Sequence, residues 1–179
     1  FITPDSVVVD VGAHIGTFTV HSASKAKAVH AFEPVITSYQ RLEGHIVLNN
    51  LSNVTPYKFA LGDSLGMTQI DYMPTSNTGA AKLDISQGSF IFENLGDEHT
   101  PPTYNILVKT LDSIDLPAID FLKCDTEGCE ALVVAGALQT IKKCRPLMLM
   151  EHNYDYQREE VLKLLEGAGI PYRCTKVHD

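Results

Sequence analysis

A short apolar run near the start of the chain leads directly into a glycine-rich turn. The run, Val7–Val11, is interrupted only by Asp10, as expected of a strand that is buried on both faces of a sheet. Gly12 and Gly16 follow it, and a helix is expected to begin directly after them. A buried strand, a tight turn and a helix in immediate succession are typical of the first unit of a doubly wound α/β fold. The start of the chain therefore predicts an open sheet that is covered by helices.

Apolar and amphipathic segments alternate along the rest of the chain. Further strands are predicted at residues 29–33, 54–61, 119–125 and 146–151. Apolar residues at helical spacing predict helices around residues 35–46, 132–141 and 161–165. Strands that alternate with helices pair in parallel through right-handed crossovers. We therefore expect one mostly parallel sheet with the strand order 3-2-1-4-5.

One region, from residue 63 to residue 110, lacks helical periodicity. Residues 67–73 and 104–110 have the composition of strands, and the loop of about 30 residues between them is unusually long for a compact domain. Such loops are often lids or binding loops. We predict an inserted β-hairpin with a long loop and little regular structure between its strands. Residues 1–179 are interpreted as a single domain which, since it begins at Phe1, belongs to a longer protein with other domains.

The charge balance argues against a nucleic-acid partner. The chain has 14 Lys and Arg against 22 Asp and Glu, which gives a net charge of −8. The basic residues that cluster are Lys142, Lys143 and Arg145, at a predicted helix end where cations are favoured. No apolar run approaches the ~20 residues that span a bilayer, so no membrane contact is expected. The four cysteines show no Cys-x-x-Cys spacing, which favours a reducing, cytoplasmic compartment and a small or neutral partner for this acidic chain.

The acid before the glycine turn indicates which ligand the turn would bind. The spacing is Gly-x-x-x-Gly with Asp10 two residues before Gly12, unlike the Gly-x-Gly-x-x-Gly fingerprint of dinucleotide sites. An acid at this place would attract the sulfonium and ammonium of S-adenosylmethionine and repel a diphosphate. Gly12 would let the ligand approach the main chain, and Gly16 would let the helix pack closely on the strand. The alternatives are an ordinary tight turn and a nicotinamide-dependent oxidoreductase.

Acidic residues end several of the predicted strands. Glu33 lies 23 residues after Asp10, where doubly wound folds place an acid that accepts hydrogen bonds from ribose hydroxyls. Asp125 and Glu151 end the fourth and fifth predicted strands. Because ligands in such sheets bind outside the carboxyl ends of the strands, these acids are expected to share one crevice. The alternatives are a carboxylate favoured by a helix start at Glu33 and a helix N-cap at Asp125 or Thr126.

Motifs that contain these residues resemble those of the FkbM-type methyltransferases. They are Val-Asp-Val-Gly-Ala-His-Ile-Gly (9–16), Ala-Phe-Glu-Pro (31–34), Ala-Leu-Gly-Asp (60–63), Lys-Thr-Leu-Asp-Ser (109–113) and Asp-Phe-Leu-Lys-Cys-Asp-Thr-Glu-Gly-Cys-Glu (120–130). The last of them is the most family-specific. The resemblance implies the Rossmann-like fold of class I methyltransferases and S-adenosylmethionine as methyl donor. It also implies O-methylation of a hydroxyl on a sugar, a glycan or a similar small acceptor such as a polyketide-like product.

The resemblance also assigns residues to the two halves of the site. It implies cofactor contacts for residues at or just after the ends of the first four predicted strands. They are Asp10, Gly12, Ala13, His14, Gly16, Thr17, Glu33, Pro34, Ala60, Leu61, Asp63 and Asp125. Residues 60–63 would border the adenine. Asn77, Thr78, Gly79 and Glu151 would lie on the acceptor side. Two residues depart from the pattern: His14 stands where the family usually has Asn, and Cys129 where Ala is common.

Three residues near the ends of the last two predicted strands are candidates for the chemistry. Methyl transfer from a sulfonium is an in-line displacement, so the protein mainly positions the acceptor and removes its proton. Asp125, Glu127 and His152 are candidates for the general base. The same three residues are candidates for holding a divalent cation, Mg²⁺ or Mn²⁺, that would acidify the hydroxyl. A non-catalytic interaction domain that keeps the fold is a further alternative.

Overall fold

The computed structural model describes residues 1–71, 82–84, 89–91, 103–152 and 154–175. The strands are β1 (Val7–Val11), β2 (Ala28–Phe32), β3 (Val54–Tyr57), β4 (Ala60–Leu61), β5 (Gly66–Asp71), β6 (Lys82–Asp84), β7 (Ser89–Ile91), β8 (Thr103–Lys109), β9 (Phe121–Cys124) and β10 (Leu147–Met150). The helices are α1 (Thr17–Ala23), α2 (Ile36–Leu48), α3 (Glu130–Ala135), α4 (Leu138–Cys144) and α5 (Asp155–Gly167). Within these ranges no helix has both the length and the apolar character needed to cross a bilayer.

The central sheet is parallel and has the order β10-β9-β1-β2-β3. On the middle strand, Val8 pairs with Val29 of β2 on one side and with Phe121 of β9 on the other. The carboxyl ends of β1, β2, β9 and β10 therefore lie along one edge of the sheet. The predicted α/β class and the predicted strand order 3-2-1-4-5 are both confirmed, and the strands lie within two residues of their predicted bounds, apart from the one predicted at residues 54–61.

Helices cover both faces of this sheet, as successive residues of β1 demonstrate. Val9 is fully buried in a cluster that includes Val133 of α3 and Val161 of α5. Its neighbour Val8, also fully buried, packs instead in a cluster with Ala23 of α1. Because successive side chains of a strand point to opposite faces, α1 and the α3–α5 group lie on opposite sides of the sheet. The fold is doubly wound.

The strand predicted at residues 54–61 is in fact two strands that belong to different sheets. β3 pairs with β2 at the edge of the central sheet, whereas Ala60 of β4 pairs in parallel with Val108 of β8. β8 in turn pairs antiparallel with β5, which is the predicted hairpin, and the second sheet has the order β4-β8-β5-β7-β6. The prediction of one strand was wrong because an apolar run indicates a strand without indicating which partner it pairs with.

The single helix predicted around residues 132–141 is divided into α3 and α4. The division falls at Gly136, where a Cβ would lie 1.9 Å from the carbonyl oxygen of Gly62. The backbone after β4 therefore passes directly against the helical segment, and only a glycine admits it. Asp112 caps the start of α4: its carboxylate accepts hydrogen bonds from the N–H groups of Gln139 and Thr140, at 3.0 and 2.7 Å.

The region between residues 74 and 103, predicted to lack regular structure, contains two short strands. β6 and β7 pair antiparallel with each other, and Gln69 of β5 pairs with Ser89 of β7. They thereby extend the second sheet beyond the predicted hairpin. Asn77, Thr78 and Gly79, the predicted acceptor-side residues of this loop, lie outside the described residues.

Candidate active site

The turn after β1 has a backbone conformation that few residue types adopt. The φ angles are +73° at Gly12, +52° at His14 and +92° at Gly16. The N–H groups of Gly12 and Ala13 both donate to the carbonyl of Phe32 at 3.0 Å, which ties the turn to β2. Asn and His are among the few non-glycine residues enriched at positive φ. This explains how His14 can occupy a turn position where the family resemblance leads us to expect Asn.

Gly12 is required by packing within the protein, and Gly16 is favoured by its backbone conformation. A Cβ on Gly12 would lie 1.8 Å from the carbonyl oxygen of Asp125, and one on Gly16 would lie 2.6 Å from Cδ1 of Leu42. Gly12 therefore makes room for the backbone after β9, a reason that the sequence did not indicate. The expectation that Gly16 packs on the strand was wrong, since its neighbour is α2. Thr17 is exposed at the start of α1, and Ala13 is buried.

Asp10 is fully buried, and its charge is balanced by a residue of the neighbouring strand. Its Oδ2 accepts a hydrogen bond from Thr19 Oγ1 at 2.5 Å, and its Oδ1 lies 3.3 Å from Nζ of Lys123. Burial raises the pKa of Asp10, and the Lys123 ammonium opposes this rise. In the sequence Asp10 was expected to face the positive charges of the cofactor. In the structure the cation beside it is Lys123.

Lys123 is a residue of the site that the sequence prediction missed. Its Nζ lies 3.2 Å from Oδ2 of Asp125 and donates to the carbonyl of Gly12 at 3.1 Å, in addition to its contact with Asp10. Burial alone would lower the pKa of Lys123, but the attraction of Asp10 and Asp125 outweighs it and raises the pKa. The available signal was a lysine two residues before Asp125 on a strand predicted next to the one that holds Asp10.

Glu33 directly follows β2, with its carboxylate almost fully buried beside the glycine turn. Oε2 accepts the N–H of His14 and Oε1 accepts the N–H of Val35, each at 2.8 Å. Burial raises the pKa of Glu33 to about 7, against the lowering effect of these two hydrogen bonds. Pro34, which follows, is half-buried. Glu33 thus lies where the ribose was predicted, with backbone donors that orient its carboxylate.

Asp125 and Glu151 are neighbouring carboxyl groups at the ends of β9 and β10. Asp125 is 34 % exposed, and Glu151 is exposed at the rim of the sheet. The hydrogen bond with Asp125 and the negative charge of Asp125 raise the pKa of Glu151 to about 7, with smaller contributions from burial and from Glu127. The structure therefore brings Asp125 and Glu127, which are predicted catalytic residues, close to Glu151, which is predicted to lie on the acceptor side.

A second missed residue, Glu130, holds the turn that contains these acids. Its buried Oε1 accepts the N–H and the hydroxyl of Thr126, both at 2.8 Å, and the N–H of Gly128 at 3.3 Å. The turn needs such support because Glu127 has a φ of +55° and Gly128 a φ of +111°. Glu130 also begins α3, so the sequence signal was an acid at a helix start soon after the Asp-Thr-Glu-Gly run.

His152 follows Glu151 directly after the end of β10. It is half-buried, and burial lowers its pKa, while the charged groups that act on it are Glu130 and Arg158. Its Nδ1 is buried and makes no hydrogen bond among the described residues. In that same part of the chain, no three His, Cys, Asp or Glu side chains are arranged to hold a metal ion. The metal hypothesis for Asp125, Glu127 and His152 thus gains no support from the geometry.

The predicted adenine side of the crevice is built by the second sheet. Ala60 packs against Ile106, together with Val35 and Tyr104. The Tyr104 hydroxyl accepts the N–H of Ile36 at 2.9 Å, which ties β8 to the start of α2, close to Glu33. Of the other residues predicted here, Leu61 is buried and Asp63 is exposed.

A doubly wound parallel sheet with a glycine turn after its central strand is the architecture of class I methyltransferases. The crystal structure of a methyltransferase FkbM from Methylobacillus flagellatus KT has the same fold, with a TM-score of 0.66 at 19% identity. The alignment covers 93% of this chain and 38% of that one. Residues 10–172 match the Methyltransferase FkbM domain. The chain belongs to the FkbM methyltransferase family.

Relatives in two kingdoms support this assignment. "Methyltransferase 1" of Beauveria bassiana is 28% identical over 148 residues, which cover 74% of this chain and 58% of that protein. "31-O-demethyl-FK506 methyltransferase FkbM" of Streptomyces tacrolimicus is 25% identical, over 94% of this chain and 74% of that protein. The chain therefore spans little more than half the length of the Beauveria protein.

Proposed function

We propose that this domain transfers the methyl group of S-adenosylmethionine to a hydroxyl on a sugar, a glycan or a similar small acceptor. The observation that carries the proposal is the Asp125–Glu151 pair of carboxyl groups, which lies beside the glycine turn and in which Asp125 raises the pKa of Glu151 to about 7. A hydroxyl needs a base of this kind, whereas a more nucleophilic acceptor does not. The Streptomyces relative has transfer to an oxygen of FK506 in its name.

The residues of the crevice fit the cofactor. A carboxylate offers about four acceptor positions, so Glu33 can accept ribose hydroxyls while it accepts the N–H groups of His14 and Val35. Asp125 is partly exposed and carries the negative charge that a sulfonium or an ammonium would meet. Ala60 and Leu61 are proposed to border the adenine, as the family resemblance implies. When bound, S-adenosylmethionine would supply an electrophilic methyl group.

Within the pair, Glu151 is the better candidate for the base. Its pKa of about 7 lies close to the pH at which a general base works best, and its exposure gives an acceptor direct access. Asp125 contributes by raising that pKa and by facing the positive charge of the cofactor. The acceptor hydroxyl would pass its proton to Glu151 as its oxygen attacks the methyl carbon in line with the departing sulfur.

The acceptor side is proposed to include Asn77, Thr78 and Gly79, as the family resemblance implies. Replacing Asn77 and Thr78 with Ala should lower the rate of methyl transfer and leave cofactor affinity nearly unchanged. Equal losses of rate and affinity would remove these residues from the acceptor side.

The proposed activity is tested with the purified chain in two steps. Calorimetry should show S-adenosylmethionine and S-adenosylhomocysteine binding at micromolar strength, about −8 kcal/mol, with no comparable binding of NAD. Incubation with tritiated S-adenosylmethionine and a panel of hydroxylated sugars should then yield methyl ethers that mass spectrometry locates on oxygen. Tight NAD binding, or methylation found only on nitrogen or carbon, would contradict the proposal.

A further inference from the structure

Lys123 connects the ends of two neighbouring strands, β1 and β9, at the carboxyl edge of the central sheet. Its ammonium lies 3.3 Å from the buried Asp10 and 3.2 Å from Asp125, and it donates to the carbonyl of Gly12 at 3.1 Å. The ammonium also lies 5.9 Å from the centre of the Phe18 ring, so α1 covers it on the far side. The Lys123 side chain is only 13% exposed. With this set of partners the side chain has little freedom to move.

The two carboxylates on Lys123 differ in what they can reach. Asp10 has no exposed surface, so a ligand in the crevice cannot touch it. Asp125 is 34 % exposed, so it can face a ligand while its Oδ2 stays on Lys123. Without a fixed partner, an exposed Asp side chain at the end of a strand would sample several rotamers.

We infer that Lys123 is a positioning residue through which the buried Asp10 fixes the carboxylate of Asp125 toward the positive sulfur of the bound cofactor. This inference rests on the proposed use of S-adenosylmethionine. Asp10 anchors the ammonium, the ammonium orients Asp125, and Asp125 favours a ligand that carries a positive charge at the sulfur position. Glu127 and Glu151 add negative charge to the same rim.

Two ligands separate this role from a purely structural one. S-adenosylmethionine and S-adenosylhomocysteine differ in one methyl group and one positive charge. A change that only disturbs the structure of the site weakens the binding of both ligands equally. It leaves the ratio of their dissociation constants unchanged. A change that misplaces Asp125 lowers the preference for the charged ligand, because the attraction between opposite charges depends on their separation.

The informative variant is Lys123→Met combined with Asp10→Asn. It removes one positive and one negative charge, so the net charge of the crevice stays the same and no buried carboxylate loses its partner. The amide introduced at position 10 can still accept the hydrogen bond of Thr19. Lys123→Arg, which keeps the cation, is the conservative control, and Asp125→Asn gives the ratio expected when the carboxylate is absent.

Calorimetry on the four proteins then tests the inference. The ratio of the dissociation constant of S-adenosylhomocysteine to that of S-adenosylmethionine should be the same in the wild type and in Lys123→Arg. In the double variant and in Asp125→Asn this ratio should be about fivefold lower, which corresponds to the strength of one partly exposed charge pair. A wild-type ratio in the double variant, or in Asp125→Asn, overturns the inference. If the wild type binds neither ligand, the proposed function itself fails.

A second measurement does not require the double variant to fold. In ¹⁵N-labelled wild type, the ammonium signal of Lys123 should move when S-adenosylmethionine is added and move much less with S-adenosylhomocysteine. Equal movement with both ligands would overturn the inference.

Discussion

Gly12 and Asp125 are in backbone contact: the Cβ position of Gly12 lies 1.8 Å from the carbonyl oxygen of Asp125. One residue earlier, the carbonyl of Val11 accepts the N–H of Asp125 at 3.1 Å. The turn that is proposed to hold the cofactor and the acid that is proposed to face its reactive end are therefore joined through their backbones. A change in either half displaces the other.

Gly12→Ala should accordingly disrupt the fold. The added methyl overlaps the backbone of Asp125 and forces a side chain into a φ of +73°, so we expect a loss of ~4 kcal/mol or more in the free energy of unfolding. Gly44→Ala in α2 is the matched control, since nothing lies within 4 Å of its Cβ position. The control should stabilise the protein by ~0.5–1 kcal/mol in urea denaturation. Similar stabilities for the two variants would contradict the contact.

Cofactor affinity should fall in mild acid because of Glu33. Its carboxylate must be ionised to accept ribose hydroxyls on both oxygens, and its pKa of about 7 means that protonation competes with binding. The affinity for S-adenosylhomocysteine should drop about tenfold between pH 8 and pH 6. Glu33→Gln should bind weakly at both pH values with much less change. A wild-type affinity that stays constant across this window would exclude Glu33 from the ribose.

Glu33 should also lower the stability of the fold as the pH rises, whereas a carboxylate that is paired with a cation raises it. The pKa of Glu33 rises from 4.5 in a model peptide to about 7, so the folded state holds this proton more tightly than the unfolded state. Its contribution therefore becomes unfavourable as the pH rises from about 4.5 to 7, by up to roughly 3 kcal/mol. Urea denaturation at pH 4.5 and pH 8 should show a larger loss in the wild type than in Glu33→Gln, in which Glu151 still contributes. An equal change in the free energy of unfolding between the two pH values in both proteins would refute the raised pKa of Glu33.

Glu130→Ala should destabilise the Asp-Thr-Glu-Gly turn. It leaves the N–H groups of Thr126 and Gly128 without their acceptor, which should cost roughly 2–4 kcal/mol of unfolding free energy. Glu160→Ala, an exposed change in α5, is the control and should alter stability by less than ~0.5 kcal/mol. Thermal denaturation of both variants tests this. An unchanged Glu130→Ala protein would mean that the turn is held by other contacts.

Glu151→Gln should reduce the rate of methyl transfer. If Glu151 removes the proton, the loss should be ~10²–10⁴-fold, and the wild-type rate should rise with pH up to about 7 as the carboxylate ionises. Glu159→Gln is a matched surface control and should keep the wild-type rate. The assay is run with and without chelator. Loss of activity in chelator with rescue by Mg²⁺ or Mn²⁺ would instead favour the metal hypothesis for Asp125, Glu127 and His152.

The sequence predicted those features that depend on residues close together in the chain. The buried run at β1, the glycine turn and the acid that ends β2 each lie in one short segment, and all are found where expected. Lys123 was missed because its role depends on Asp10, 113 residues earlier, and only strand adjacency brings the two together. β4 and the break at Gly136 were missed for the same reason, since each results from a backbone contact between distant segments.

The Asp10–Lys123 ion pair also restricts which substitutions are tolerated at these two positions during evolution. A neutral residue at either position alone would leave a charge of the other residue inside the protein, which typically costs ~3–5 kcal/mol. That is a large part of the stability of a domain of this size. Viable homologues are therefore expected to retain both residues or to lose both, and the two positions, far apart in the chain, should vary together over evolution.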